Sequence, residues 1–166
     1  MLVRPVLIRQ PATAEARKRA REIVEAHGRA SLARMTLFDD KSYFFSAGGT
    51  LIAYAVKGRV ALALGDPIGA EEDARASILE FKTFCAGNDW DPCFYQTRPD
   101  YLPIYKEAGF KFFSIGEEAI VDLSAFTLEG KAGKEFRNVA NRLGKLGHRV
   151  EFFEPPLNDE LLNELK

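Results

Sequence analysis

The chain has 166 residues, 46% of them hydrophobic and 28% charged, which excludes a disordered or fibrous protein and fits a single domain with a real core. With 23 basic against 24 acidic residues the net charge is −1. No global field therefore marks the chain for nucleic acid or an anionic membrane, and any such contact must come from a local patch.

The elements follow in chain order. Val6, Leu7 and Ile8 form a short β-prone run that Pro11 ends. Thr13 then caps a helix expected over 14–26 and closed by Gly28. Ser31 is placed to cap a second, short helix over 31–37. A three-stranded meander comes next. Its strands are Tyr43-Phe44-Phe45, 51–56 and 60–64, and its turns are Gly48-Gly49 and Lys57-Gly58-Arg59. In the third strand Val60, Leu62 and Leu64 alternate with alanines, so something packs closely on the alanine face.

Gly65-Asp66-Pro67-Ile68-Gly69 breaks the sheet, and a helix over 70–86 carries Ala74, Ile78, Phe81 and Cys85 on one face. Pro92 introduces a strand over 93–97. Pro99 and Asp100 start a helix with Leu102, Tyr105 and Ala108 inside and Gly109 as its stop. Strands are expected over 110–115 and 119–123, a basic helix over 131–146, a strand over 148–153 and a helix starting at Asn158. Cys85 and Cys93 lack metal-ligand spacing, and His27 and His148 are far from both in sequence, so reduced thiols and no metal site are expected.

This order of elements is that of the GNAT acyltransferase fold, an α/β (α+β) arrangement with a mixed central sheet flanked by helices. In that fold two central parallel strands splay apart and the acyl donor lies in the gap; here the pair is 60–64 and 93–97. The strand, proline break and helix that close the chain echo its opening. The expected organisation is a first GNAT-like unit over 1–130, a basic linker helix over 131–147 and the truncated start of a second unit over 148–166.

Several motifs then align in one order: Asp40-Lys41-Ser42-Tyr43-Phe44-Phe45-Ser46, Gly65-Asp66-Pro67, Phe94-Tyr95-Gln96, Leu102-Pro103-Ile104-Tyr105 with Gly109, Ile115-Gly116-Glu117-Glu118-Ala119, Val121-Asp122-Leu123, and Lys134, Phe136-Arg137 and Arg142. With them the chain resembles the C-terminal catalytic domain of lysyl-phosphatidylglycerol synthases, also called multiple peptide resistance factors. The resemblance spans 34–153. It implies a tandem pair of GNAT-like units and transfer of a lysyl or alanyl group from aminoacyl-tRNA to phosphatidylglycerol, an anionic phospholipid. Members often carry an N-terminal membrane-embedded flippase, and most of the second unit is missing here, so the chain by itself is not expected to be a complete enzyme. No apolar run reaches the ~18–20 residues that span a bilayer, and residues 1–10 lack a signal-peptide pattern. The expected place is thus the cytoplasm, at the inner membrane face.

The candidate site residues follow. An acetyl-CoA enzyme needs backbone N–H groups to hold a pyrophosphate after the third meander strand. Here Pro67 removes one donor and Asp66 puts an anion there, so no cofactor is expected. Asp66 either orients a substrate amine or makes an Asp-Pro turn that caps the next helix. Tyr95 and Gln96 offer a phenol and an amide beside the gap, and alternation puts them on opposite faces. Glu117 and Glu118 either bind an ammonium group or are simply solvated in a turn. Lys134, Arg137 and Arg142 suit the phosphates of tRNA or of a lipid headgroup; the alternative is a linker helix that docks on another unit. An aminoacyl ester is already activated, so positioning and oxyanion stabilisation suffice and no covalent enzyme intermediate is needed. Two other functions stay open: an acetyl-CoA-dependent N-acetyltransferase, and a non-catalytic binding module of the same fold.

Overall fold

The computed structural model describes residues 12–154 and 156–164. The expected strand at Val6–Ile8 lies outside these residues. The chain divides into two compact units, Met1–Phe113 and Ser114–Lys166.

In the first unit, helix α1 (Ala14–His27) begins where the Thr13 hydroxyl accepts the Ala16 N–H at 3.1 Å, and helix α2 (Leu32–Met35) follows it. Strands β1 (Ser42–Phe45), β2 (Leu51–Lys57) and β3 (Val60–Leu64) form the expected antiparallel meander. Helix α3 (Ala74–Gly87) leads to β4 (Asp91–Tyr95), which pairs parallel with β3 and completes a sheet of order β1-β2-β3-β4. Helix α4 (Leu102–Glu107) follows a single 3₁₀ turn, Pro99–Tyr101.

Period-2 alternation splits the sheet residues between two cores. Ile52, Tyr54, Ala61, Ala63, Phe44 and Phe94 face α3, where Phe81 and Cys85 are fully buried. The alanines of β3 are the close contact read from the sequence: Ala61 and Ala63 leave room for Phe81 among Phe44, Phe84, Tyr54 and Phe94. On the other face Leu51, Tyr43 and Phe45 pack with Ala20 and Val24 of α1 and Ala33 of α2. The turn between β1 and β2 is latched to the start of α3. The Ser46 hydroxyl donates to Asp73 Oδ2 at 2.5 Å, and the Ala47 N–H donates to Glu80 Oε2 at 2.8 Å.

Four expectations need correction. First, β4 runs two residues earlier than expected. Pro92 does not precede the strand but lies in it, opposite Ala61, which an edge strand tolerates because the missing N–H faces away from the ladder. Second, β3 and β4 do not splay along their length; they stay paired from Val60↔Asp91 to Leu64↔Tyr95, so a separation can begin only beyond that last pair. Third, 110–115, 119–123 and 148–153 hold no strand. An apolar, β-prone run is not sufficient, because a strand needs a neighbour for its backbone groups. Phe113 and Ile120, 83% and 87% exposed, have none of the packing that would supply one. Fourth, Leu102 is not an inner residue of α4: it is 37% exposed, against 1% for Tyr105 and 6% for Ala108.

In the second unit, helix α5 (Lys134–Lys145) is the expected basic helix, and helix α6 (Asp159–Glu164) follows it. Phe126 meets the Phe136 ring edge-on at 5.9 Å. The segment before α5 folds tightly over it, since a Cβ on Gly133 would collide with the Leu128 carbonyl. Among the described residues no helix is long and apolar enough to cross a membrane.

Candidate functional site

The site is built at the carboxyl ends of the parallel pair, where open α/β sheets place ligands. The antiparallel ladder sets Tyr54 against Ala63, so an unbroken register would bring residue 66 opposite Leu51. Leu51 instead exchanges both backbone hydrogen bonds with Ile68, at 2.8 and 2.9 Å. Two extra residues are therefore bulged out after β3, and Asp66 is among them. Gly65, at φ +70°, supplies the left-handed step that starts the bulge.

The bulge turns Asp66 toward the end of β4. Its Oδ1 accepts the Tyr105 hydroxyl at 3.0 Å and its Oδ2 accepts the Arg98 N–H at 3.0 Å. Burial pushes the carboxyl up to about 6, against the two hydrogen bonds, which favour the charged form. Burial also raises the Tyr105 phenol far above its ordinary value, and the neighbouring Asp66 charge adds to this, so the hydroxyl keeps its proton and donates it. Tyr101 is raised by burial and then by Asp66.

Beyond the last pair, β4 leaves the sheet through Gln96, a non-glycine residue at φ +58°. Tyr95 and Gln96 are both exposed. Tyr95 closes the strand, whereas Gln96 lies in the turn beyond it, so strand alternation does not decide which way the Gln96 side chain faces. The structure thus brings Asp66, Tyr95 and Gln96 to one end of the sheet. The candidate site is therefore at the strand ends themselves, not in a gap between the paired strands. Arg98, Tyr101 and Tyr105 belong to this cluster and went unselected from the sequence. The one available signal was the four-residue spacing of Tyr101 and Tyr105, which puts both rings on one helical face.

The loop after β3 lacks one of the backbone donors that a coenzyme A pyrophosphate would use. Pro67 is buried and offers no N–H. Glu71, Glu72 and Asp73 form the 3₁₀ turn that follows, so the start of the next helix carries an acidic run, with Asp73 bonded to Ser46 and Glu71 paired with Arg29. That acidic run was readable in the sequence and strengthens the argument drawn from Asp66 and Pro67.

The other candidates lie in the second unit. Glu117 and Glu118 are exposed and outside regular structure. Lys134 and Arg142 project from α5 into solvent. Arg137 is partly buried, and its Nη1 donates to the carbonyls of Leu128 and Gly130, the latter at 3.0 Å, so this guanidinium braces the segment before the helix. Leu128, Ala132, Phe136, Val139 and Leu143 line a groove along the helix.

Comparison with known proteins agrees with this architecture. Residues 21–166 match the family described as phosphatidylglycerol lysyltransferase, C-terminal. The structure of L-PGS from Bacillus licheniformis superposes with a TM-score of 0.79 at 33% identity, over 96% of this chain and 50% of that one. The phosphatidylglycerol lysyltransferase of Staphylococcus haemolyticus is 33% identical over 95% of this chain and 19% of its own length. That of Staphylococcus aureus strain COL is 35% identical over 87% of this chain and 17% of its own. The chain thus spans about a fifth of the curated relatives it matches. With a GNAT-like mixed α/β fold and a match over residues 21–166, this chain belongs to the phosphatidylglycerol lysyltransferase C-terminal family.

Proposed function

We propose that this chain forms part of an aminoacyltransferase that moves an amino acid, of lysyl or alanyl type, from aminoacyl-tRNA to phosphatidylglycerol. The observation that carries this reading is the family match over residues 21–166. In such a reaction a glycerol hydroxyl oxygen of the lipid attacks the aminoacyl carbonyl carbon. The ester bond to the tRNA ribose then breaks, and the proton released by the attacking hydroxyl ends on the ribose oxygen. One ester replaces another, so no cofactor or redox partner enters the balance. The protein's task is to hold the two substrates and to favour the oxyanion.

In this reading Tyr95 and Gln96 meet the aminoacyl group, and the remaining lone pairs of the Asp66 carboxylate take its ammonium. Glu117 and Glu118, in the second unit, are carboxylates suited to an ammonium group. Lys134, Arg137 and Arg142 serve phosphates of the tRNA or the lipid headgroup, with Arg137 limited to the donors its carbonyl contacts leave free. The 148–166 segment begins a second unit of like fold, and the protein works at the inner face of the membrane. The poor fit of the 65–73 loop to a pyrophosphate weighs against an acetyl-CoA enzyme. The test is the full-length protein with charged tRNAs and phosphatidylglycerol vesicles. Transfer of label from lysyl- or alanyl-tRNA to lipid supports the reading, and no transfer with any charged tRNA retires it.

A further inference from the structure

The Asp66 carboxyl ties together three pieces of chain that are far apart in sequence. It sits on the bulge after β3, receives the Arg98 N–H from the connection after β4, and receives the Tyr105 hydroxyl from α4. Tyr105 is 1% exposed. Its ring lies against Phe94 at 4.7 Å, Phe110 at 5.7 Å and Tyr101 at 6.4 Å between centroids, so the hydroxyl cannot swing away without repacking three aromatics. It is a fixed point in the unit.

What that fixed point holds is the turn at Gln96. The residue before it, Tyr95, gives its carbonyl to the Gly65 N–H at 2.8 Å. Two residues after it, the Arg98 N–H donates to Asp66. Both bonds come from the bulge, and between them Gln96 is kept in a left-handed conformation that an L side chain adopts unwillingly. A backbone held this way fixes the point and direction in which the exposed Gln96 side chain leaves the chain at the strand ends.

We propose that Tyr105 is a positioning residue: acting through the Asp66 carboxyl, its hydroxyl fixes the 96–98 turn and so sets the place on the backbone from which the Gln96 side chain meets the aminoacyl group. The inference rests on the reading of the strand ends as a substrate site. Tyr105 itself touches no substrate.

The test has two arms. On the 166-residue chain, Tyr105→Phe speeds amide exchange at Arg98 about tenfold while the amides of α3 stay protected as before. Asp66→Ala does the same, and the double variant adds nothing to it. On the full-length protein, Tyr105→Phe and Gln96→Ala each raise KM for aminoacyl-tRNA about fivefold with kcat within about twofold, and the double variant is no worse than Gln96→Ala alone. An unchanged Arg98 exchange rate overturns the proposal. So does a loss of protection spread equally into α3, which would mean general loosening, and so do additive KM effects. If Arg98 responds but Gln96→Ala leaves KM at the wild-type value, the tether stands and the substrate-site reading falls.

Discussion

Asp66→Asn removes a titrating group while keeping its volume and one acceptor oxygen. The carboxyl moves from an ordinary value of 3.8 to about 6 in the folded chain, chiefly through burial. Between those values the folded state holds a proton that the unfolded state has released. The stabilisation is therefore fully present below pH 3.8 and is lost as pH rises through 6. At about 1.4 kcal/mol per pH unit the gap corresponds to about 3 kcal/mol, which solvent screening at a partly exposed carboxyl reduces to about 1–2 kcal/mol. Urea unfolding followed through Trp90, the single tryptophan, reads this directly, because the indole packs against Tyr54 and Phe84 in the first unit. The difference in stability between wild type and Asp66→Asn should change by about 1–2 kcal/mol from pH 4 to pH 7, with the wild type relatively more stable at the acid end. Two curves that stay parallel across that range would refute both the burial argument and its sign.

Phe81→Ala empties the centre of the aromatic cluster between α3 and the sheet, and a fully buried phenyl predicts a loss of about 3–5 kcal/mol in chemical denaturation. Gly48→Ala places a Cβ 2.3 Å from the Asp73 carboxyl carbon, so the latch between the β1–β2 turn and α3 must open; a cost of about 1–3 kcal/mol is expected, read as a lowered Tm. Arg137→Ala frees the carbonyls of Leu128 and Gly130 and should cost the second unit about 1–2 kcal/mol, seen as faster amide exchange in α5, whereas Lys134→Ala on the exposed side should stay within about 0.5 kcal/mol.

Local chemistry was readable and long-range register was not. Thr13, Gly28 and the Ala74, Ile78, Phe81, Cys85 stripe announce α1 and α3 because caps and helical spacing act within a few residues. Gly48-Gly49 and Lys57-Gly58-Arg59 mark the meander for the same reason. Pro92 misleads, since whether a proline breaks a strand depends on whether it sits at a sheet edge. The apolar, β-prone runs 110–115 and 119–123 mislead for want of a partner strand. At the site, Asp66, Tyr95 and Gln96 were nameable from motif and position. The bulge that groups them shows only in the pairing of Leu51 with Ile68 where the β2–β3 register leads to residue 66, and the partners of Asp66 lie 32 and 39 residues away. No periodicity within a window reports on either.

The even count of that detour has a consequence for how the loop can vary. Side chains change face with every step along a strand, so a two-residue excess returns Ile68 to the same side as Leu51, inside the apolar cluster with Val24 and Ala33. Removing one residue between 65 and 67 would rotate the isoleucine outward and put a neighbour of opposite parity into the core. Length changes at this corner should therefore be tolerated in pairs, and a library of single and double deletions would sort by parity before it sorted by size.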